Sequence, residues 1–193
     1  MLGAVFMNLE HKFNNLNTPE ELMDFLIQNI QYGWIGKDGV LRHNTIKDFR
    51  TQYRLSPLAH TLETGVGVCF EQVELEREFF NQNGFKNQSY AIITSHLTHT
   101  FLVFQLNGIY YDFEHSAPTN RGIFPSENLS QLLKSKVNNF MENHNIKSID
   151  RIILVPYNKL SDYIDFEAIG KVFLEDSENI ITSIFEEENK FRK

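Results

Sequence analysis

The chain has a single cysteine among 193 residues. That excludes an intramolecular disulfide framework and a cysteine-rich zinc site. Clusters of positive charge are missing as well. Lys47, Arg50, Arg54 and Arg77 are scattered, and 18 Lys+Arg against 25 Asp+Glu leave a formal net charge of -7. Nucleic acid and anionic membranes are bound through clustered Lys and Arg, so neither is expected as a main partner. No apolar run approaches the roughly 18 residues of a membrane span. The apolar start Met1-Leu-Gly-Ala-Val-Phe-Met7 is short, lacks a basic flank and runs into Asn8-Leu-Glu-His11, so it does not read as a signal peptide. Repeats and low-complexity stretches are absent, and tryptophan occurs once. The expectation is a soluble, cytoplasmic protein with one domain over residues 1–193.

What is present is an aromatic-rich globular composition, with 17 Phe and 7 Tyr in a chain that is 41% hydrophobic. Thr18-Pro-Glu-Glu21 is a helix start: threonine caps, Pro19 suits the first helical position and Glu21 completes a capping box. Leu22, Leu26 and Ile30, flanked by Met23 and Ile27, give that helix one apolar face and carry it to about Tyr32-Gly33. Residues 34–45 read as a loop or hairpin. A short helix at 46–53 is expected to turn Ile46, Phe49 and Tyr53 inward, and Ser56-Pro57 opens another that Gly65 stops.

The following stretch, Thr64-Gly-Val-Gly-Val-Cys69-Phe-Glu-Gln72, makes a tight turn and then opens a helix running to about Asn83-Gly84. A helix start offers free N–H groups and the positive end of the dipole, which favour an anion such as a thiolate. From there the period becomes extended. Strands are expected at 88–94, 99–106, 109–114 and 149–156, with Pro156 ending the last. Asn107-Gly108 makes a two-residue hairpin between the second and third. Residues 118–122 read as a loop, Ser126-Glu-Asn opens a helix to about Met141, and helices at 161–174 and 178–191 finish the chain. The fold class is α+β: helices first, an antiparallel sheet of about four strands, then helices around it.

Cys69, His99 and a carboxylate on the next strand follow in the order of a nucleophile, a base and an orienting acid. With Asn107-Gly108 as the loop, Leu106 pairs with Ile109. Counting back puts Asp112 opposite Val103, Glu114 opposite Phe101 and His99 near position 116. Strand alternation places His99, Phe101, Val103, Asp112 and Glu114 on one face. Either carboxylate can therefore serve the imidazole. The bland alternatives are a buried apolar cysteine, a structural histidine and carboxylates on a solvent face. His60, His96 and His115 are further imidazoles, but none lies in an H-x-x-E-H or H-E-x-x-H pattern, so no metal and no cofactor are expected.

Gly-Val-Gly-Val-Cys69 at a helix start, a helix ending in Asn-Gly-Phe85, then His99-Thr-Phe-Leu-Val and Tyr-Tyr-Asp112 resemble the transglutaminase-like superfamily, whose fold is papain-like. The helix ending Asn29-Ile-Gln-Tyr32 resembles the segment that opens this core. The resemblance covers roughly residues 20–115, leaving a C-terminal strand and helices over 120–193. It implies Cys69 as nucleophile, His99 as general base and acid, and Asp112 as orienting carboxylate. The chain departs from the pattern in having Phe101 where the family usually has tryptophan, and Phe-Glu-His-Ser after Asp112, which keeps Glu114 as an alternative acid. The resemblance also implies an aromatic near the oxyanion, for which Trp34 and Tyr53 are candidates.

The implied chemistry is acyl transfer or amide hydrolysis on a protein, peptide or small amide or thioester substrate. Water as acceptor makes a protease or deamidase, and an amine makes a transferase. Gly-Val-Cys-Phe-Glu-Gln72 also resembles the cysteine motif of arylamine N-acetyltransferases, which are considerably longer. Two other classes stand beside the enzyme: a binding module that keeps the fold without turnover, and a partner protein using the C-terminal helix, where Glu186-Glu-Glu188 follows Ile180, Ile181, Ile184 and Phe185.

Overall fold

A computed structural model describes residues 9–45 and 48–186. Residues 9–14 are helical (α1). The capping box at Thr18 forms: Glu21 N donates to Thr18 Oγ1, and Thr18 N donates to Glu21 Oε2, both at 3.2 Å. Helix α2 (Pro19–Asn29) follows, with Leu22, Met23 and Leu26 buried and Ile27 exposed. It ends earlier than its apolar period implies. Gln31–Tyr32 (β1) leaves the helix to pair in parallel with a short strand just ahead of the cysteine. Trp34–Ile35 (β2) and Leu41–Arg42 (β3) form a small antiparallel hairpin. Phe49–Gln52 (α3) is a single turn, with Phe49 and Tyr53 buried; the expected inward position Ile46 lies outside the described residues.

Helix α4 (Leu58–Thr64) starts after Pro57 with no side-chain cap, and Gly65 ends it in the left-handed conformation at φ 65°. Val66–Gly67 (β4) is the partner of β1, and α5 (Cys69–Gln82) begins two residues later. Then come β5 (Lys86–Ile93), β6 (Thr98–Leu106), β7 (Ile109–Glu114) and β8 (Gly122–Ser126). The last of these corrects the expected loop. Gly122 and Pro125 hide it from a sequence reading, yet an edge strand tolerates both. Helix α6 (Leu129–Asn143) is capped by Asn128, whose side chain accepts from Gln131 N at 3.1 Å. Strand β9 (Ile153–Tyr157) follows a 3₁₀ turn at Ile149–Arg151. Pro156 does not end it but pairs with Tyr90 on the outer strand. Helix α7 (Phe166–Glu175) and helix α8 (Ile181–Glu186) begin later than expected, and residues 187–191 of the last expected helix lie outside the described residues.

The sheet therefore has five strands rather than four, in the order β8-β7-β6-β5-β9, antiparallel at every pairing. The hairpin register is the one the two-residue loop implies, with Leu106 on Ile109 and Val103 on Asp112. One face packs on α5 through Ala91, Leu102, Phe104 and Phe113, where the Phe80 and Phe104 rings stack 4.4 Å apart. The other face packs Tyr90, Ile92, Phe101 and Val103 against Leu133, Val137 and Phe140 of α6 and Ile181 and Ile184 of α8. That burial accounts for the apolar stripe of the C-terminal helix. Among the described residues no helix is long and apolar enough to cross a membrane.

Candidate active site

Two residues past Gly65 the chain must close a tight approach. A Cβ at Gly67 would come within 2.8 Å of the Glu71 Cβ, so glycine lets the turn lie flat on the helix it precedes. Glu71 then reaches back: its Oε2 accepts from Val68 N at 3.1 Å, and its Oε1 accepts from Tyr53 Oη at 2.7 Å and Ser56 N at 3.1 Å. Burial pushes the Glu71 carboxyl up to about 7, against the pull of those donors. Gln72 locks the turn from the other side, donating to Gly67 O at 2.8 Å while its Oε1 meets His115 Nδ1 at 2.6 Å. Burial, aided by the Arg121 charge, lowers His115 to about 4, so its ring is neutral and structural. Glu71 and Gln72 directly follow Cys69-Phe70, and together they fix where the thiol sits. Only Glu71 had a local signal, as the third residue of a helix.

Cys69 is buried, at the first position of α5, where backbone N–H groups have no intrahelical acceptor. It opens into a small cavity of about 90 Å³ walled by Tyr32, Phe49, Phe70 and Phe166, with Thr98 and Arg50 also on its lining. The candidates Trp34 and Tyr53 are absent from that lining. The Trp34 indole donates to Asn44 O at 2.7 Å inside the core, and Tyr53 is held by Glu71. Tyr32, Phe49, Phe70 and Phe166 supply the aromatic wall instead.

His99 lies between the two proposed partners. Its Nε2 lies 2.7 Å from Glu114 Oε2, and Cys69 is near enough to act on the charge of the ring. With Nε2 on the carboxylate, Nδ1 is the nitrogen left for sulfur. The ring lies nearly parallel to Phe101 and Phe140, at 13° and 16°. Burial opposes a charge on this imidazole, but the Glu114 carboxylate, the hydrogen bonds and Cys69 outweigh it and raise His99 to about 10. Asp112 does not reach the ring. Its two oxygens accept from Lys136 Nζ at 3.0 and 2.8 Å, and the same ammonium donates to Glu114 Oε2 at 2.7 Å. Glu114 Oε1 accepts from Ser116 Oγ and Ala117 N.

The carboxylate choice left open by strand counting thus resolves to Glu114 at the imidazole, with Asp112 beside it on Lys136. Burial opposes the charge on each member of this group. Lys136 and His99 nevertheless hold Glu114 well below the usual carboxylate range, while the two carboxylates raise Lys136. For Asp112 burial wins and its carboxyl is pushed up. Lys136 comes from α6, and nothing near Cys69, His99 or Glu114 in the sequence points to it.

The other histidines stand apart. His60 pairs with Glu63 on α4, His96 lies at the Cys69 cavity and His115 is buried against Gln72. Among the described residues no three His, Cys, Asp or Glu side chains are grouped to hold a metal ion. No known family model matches the chain, and no curated protein matches it either.

Proposed function

We propose that the chain is a cysteine acyl-transfer enzyme working on an amide or thioester, with Cys69 as nucleophile, His99 as acid and base and Glu114 as the orienting carboxylate. The observation that carries this reading is one imidazole hydrogen-bonded to a buried carboxylate at 2.7 Å and set beside the only cysteine. A thiol, an imidazole and an acid in series are what such chemistry requires.

A ring that keeps its proton to about pH 10 is an imidazolium at neutral pH, and it stands beside the Cys69 sulfur. Sγ attacks the carbonyl carbon and forms an S–C bond, and the carbonyl electron pair moves onto oxygen. The Cys69 N–H lies at the helix start to receive that oxyanion. As the tetrahedral carbon collapses, its bond to the leaving amine or thiol breaks and His99 gives the leaving atom its proton. Water then attacks the thioester, His99 takes back a proton, and the acid product leaves with Cys69 restored. Glu114 keeps Nε2 occupied and Nδ1 turned to sulfur throughout.

The test is the rate of Cys69 alkylation by iodoacetamide from pH 5 to 9, in the native protein and in His99→Ala. A fast reaction that persists below pH 7 and falls to ordinary thiol behaviour in the variant supports the reading. An ordinary thiol profile that the substitution leaves unchanged sinks it, and the domain is then a binding module.

A further inference from the structure

The molecule has a second concavity at this centre, which the mechanism does not use. It is about 410 Å³, within the range of small-molecule sites, and shares no lining residue with the cavity at Cys69. Its floor is the ionic group His99, Glu114, Asp112 and Lys136. One wall is α6, which presents Gln131, Ser135, Asn139 and Asn143 to it at every fourth position. Opposite stands Phe124 of β8.

Three observations fix what such a groove can hold. The floor offers no free charge. The three N–H bonds of Lys136 are spent on Asp112 Oδ1, Asp112 Oδ2 and Glu114 Oε2, and the other Glu114 oxygen takes Ser116 and Ala117. An anion or a cation would have to break that set, at the cost of leaving a buried charge unpaired.

The α6 wall, in contrast, is open for hydrogen bonding. The side chains of Gln131, Ser135, Asn139 and Asn143 have no partner among the described residues. A merely solvated helix face is commonly built from Lys and Glu, whereas this stripe carries three amides and a hydroxyl over thirteen residues with no charge at its four positions.

Phe124, finally, is 47% exposed yet held in place. Its ring lies on Gly122, where a Cβ would come within 2.8 Å of it, and its register partner is Asp112, so it stands on the groove's side of the sheet. An exposed ring over a glycine seat is a flat apolar platform that needs no ordering on binding.

We infer that this groove, with unpartnered amides and a hydroxyl along α6 facing the Phe124 ring above a charge-saturated floor, binds a neutral saccharide. Hydroxyl groups of a pyranose pair with side-chain amides that both donate and accept, and its C–H face lies on the aromatic ring. An apolar ligand would leave the amides unpaired, and a phosphorylated one finds both floor cations, Lys136 and His99, already paired with carboxylates.

The test uses the whole ¹⁵N-labelled protein, titrated with N-acetylglucosamine, glucose and glucose 6-phosphate while the side-chain amide signals of Gln131, Asn139 and Asn143 are followed. The expected result is saturable shifts with at least one neutral sugar, at a dissociation constant of about 1–10 mM for a ligand of that size. Binding should weaken at least ~10-fold in Asn139→Leu and in Phe124→Ala. Both positions are exposed, and an otherwise unchanged spectrum confirms that each variant folds. Absence of saturable shifts, or shifts that survive both substitutions, overturns the inference. Tighter binding of glucose 6-phosphate than of glucose overturns it as well, because the floor would then be an anion receptor. None of these outcomes depends on whether Cys69 forms an acyl intermediate.

Discussion

The two faces of the central sheet are built on different principles. The face toward α5 is a close-packed aromatic layer in which Phe80 touches Phe85, Phe104 and Phe113, and every ring is buried or nearly so. The face toward α6 also has an apolar core, but at one end it carries Asp112, Lys136, Glu114 and His99 linked in series. The first face positions Cys69 by packing its helix against the sheet. The second positions His99 by charge. Cys69 belongs to one layer, His99 to the sheet and Lys136 to the other layer, so the proposed site exists only when all three are docked. A thiol and an imidazole on a bare hairpin would have the right residues without the geometry.

That contrast can be broken most strongly by removing one support from each face. Phe80→Ala leaves a cavity and is expected to cost about 3–5 kcal/mol. Lys136→Met strands two buried carboxylates at a similar cost of about 3–5 kcal/mol. Urea unfolding at pH 7 and pH 4 tells them apart. In the native protein the folded Glu114 pKa is depressed, so its stabilisation is present above the unfolded value and is lost only as pH falls through the folded one. Without Lys136 the carboxylates instead gain stability on protonation, and the deficit of Lys136→Met narrows at pH 4. The deficit of Phe80→Ala should not depend on pH.

The choice of acid gives the next largest effect. Glu114→Gln should slow Cys69 alkylation at pH 6 by about 10–100-fold, because the tautomer and the imidazolium both lose their support. Asp112→Asn should change it by less than about 3-fold, since it acts through Lys136 alone. The raised pKa of His99 stabilises the fold fully below about 6.5 and ceases to as pH rises through about 10, so the Glu114→Gln variant should lose the part of that pH dependence due to His99. Equal effects of the two substitutions would remove Glu114 from the triad.

A subtler pH effect belongs to the α5 side. The Glu71 carboxyl is raised by burial to about 7, so the fold holds a proton there that the unfolded chain has lost. Stability should therefore fall as pH rises from about 4.5 to 7, by roughly 3 kcal/mol, and level off above. Glu71→Gln should flatten that slope in thermal unfolding monitored between pH 4.5 and 8.

The smallest effect concerns what the Cys69 cavity prefers. Among the described residues, Arg50 is the one Lys, Arg, Asp or Glu on its lining. Iodoacetate and iodoacetamide differ by a charge at nearly constant size. Their rate ratio at Cys69 should shift toward iodoacetamide by about 2–5-fold in Arg50→Gln. An unchanged ratio would show that the guanidinium lies too far into solvent to select substrates.

Much of this arrangement was legible before the structure, and the limits have physical causes. Asn107-Gly108 set the hairpin register, because a two-residue turn leaves no slack, and the register put both carboxylates on the face of His99. It could not choose between them. That choice depends on Lys136, which sits on another element and draws Asp112 to itself. Strand β8 escaped because Gly122 and Pro125 are turn residues in a local reading, and only the sheet edge makes them tolerable. The end of α2 was misplaced because pairing with Val66–Gly67 overrides the helical period at Gln31. In each case a partner distant in the chain decided.

The two outer strands carry Pro125 and Pro156, paired inward with Tyr111 and Tyr90. A strand of another molecule that tried to extend the sheet from either border would meet a residue with no N–H to give it. Interrupted borders of this kind guard against templated growth into fibrils. The same property means that an extended peptide finds no unbroken rail to zip along on either border of the five-stranded sheet.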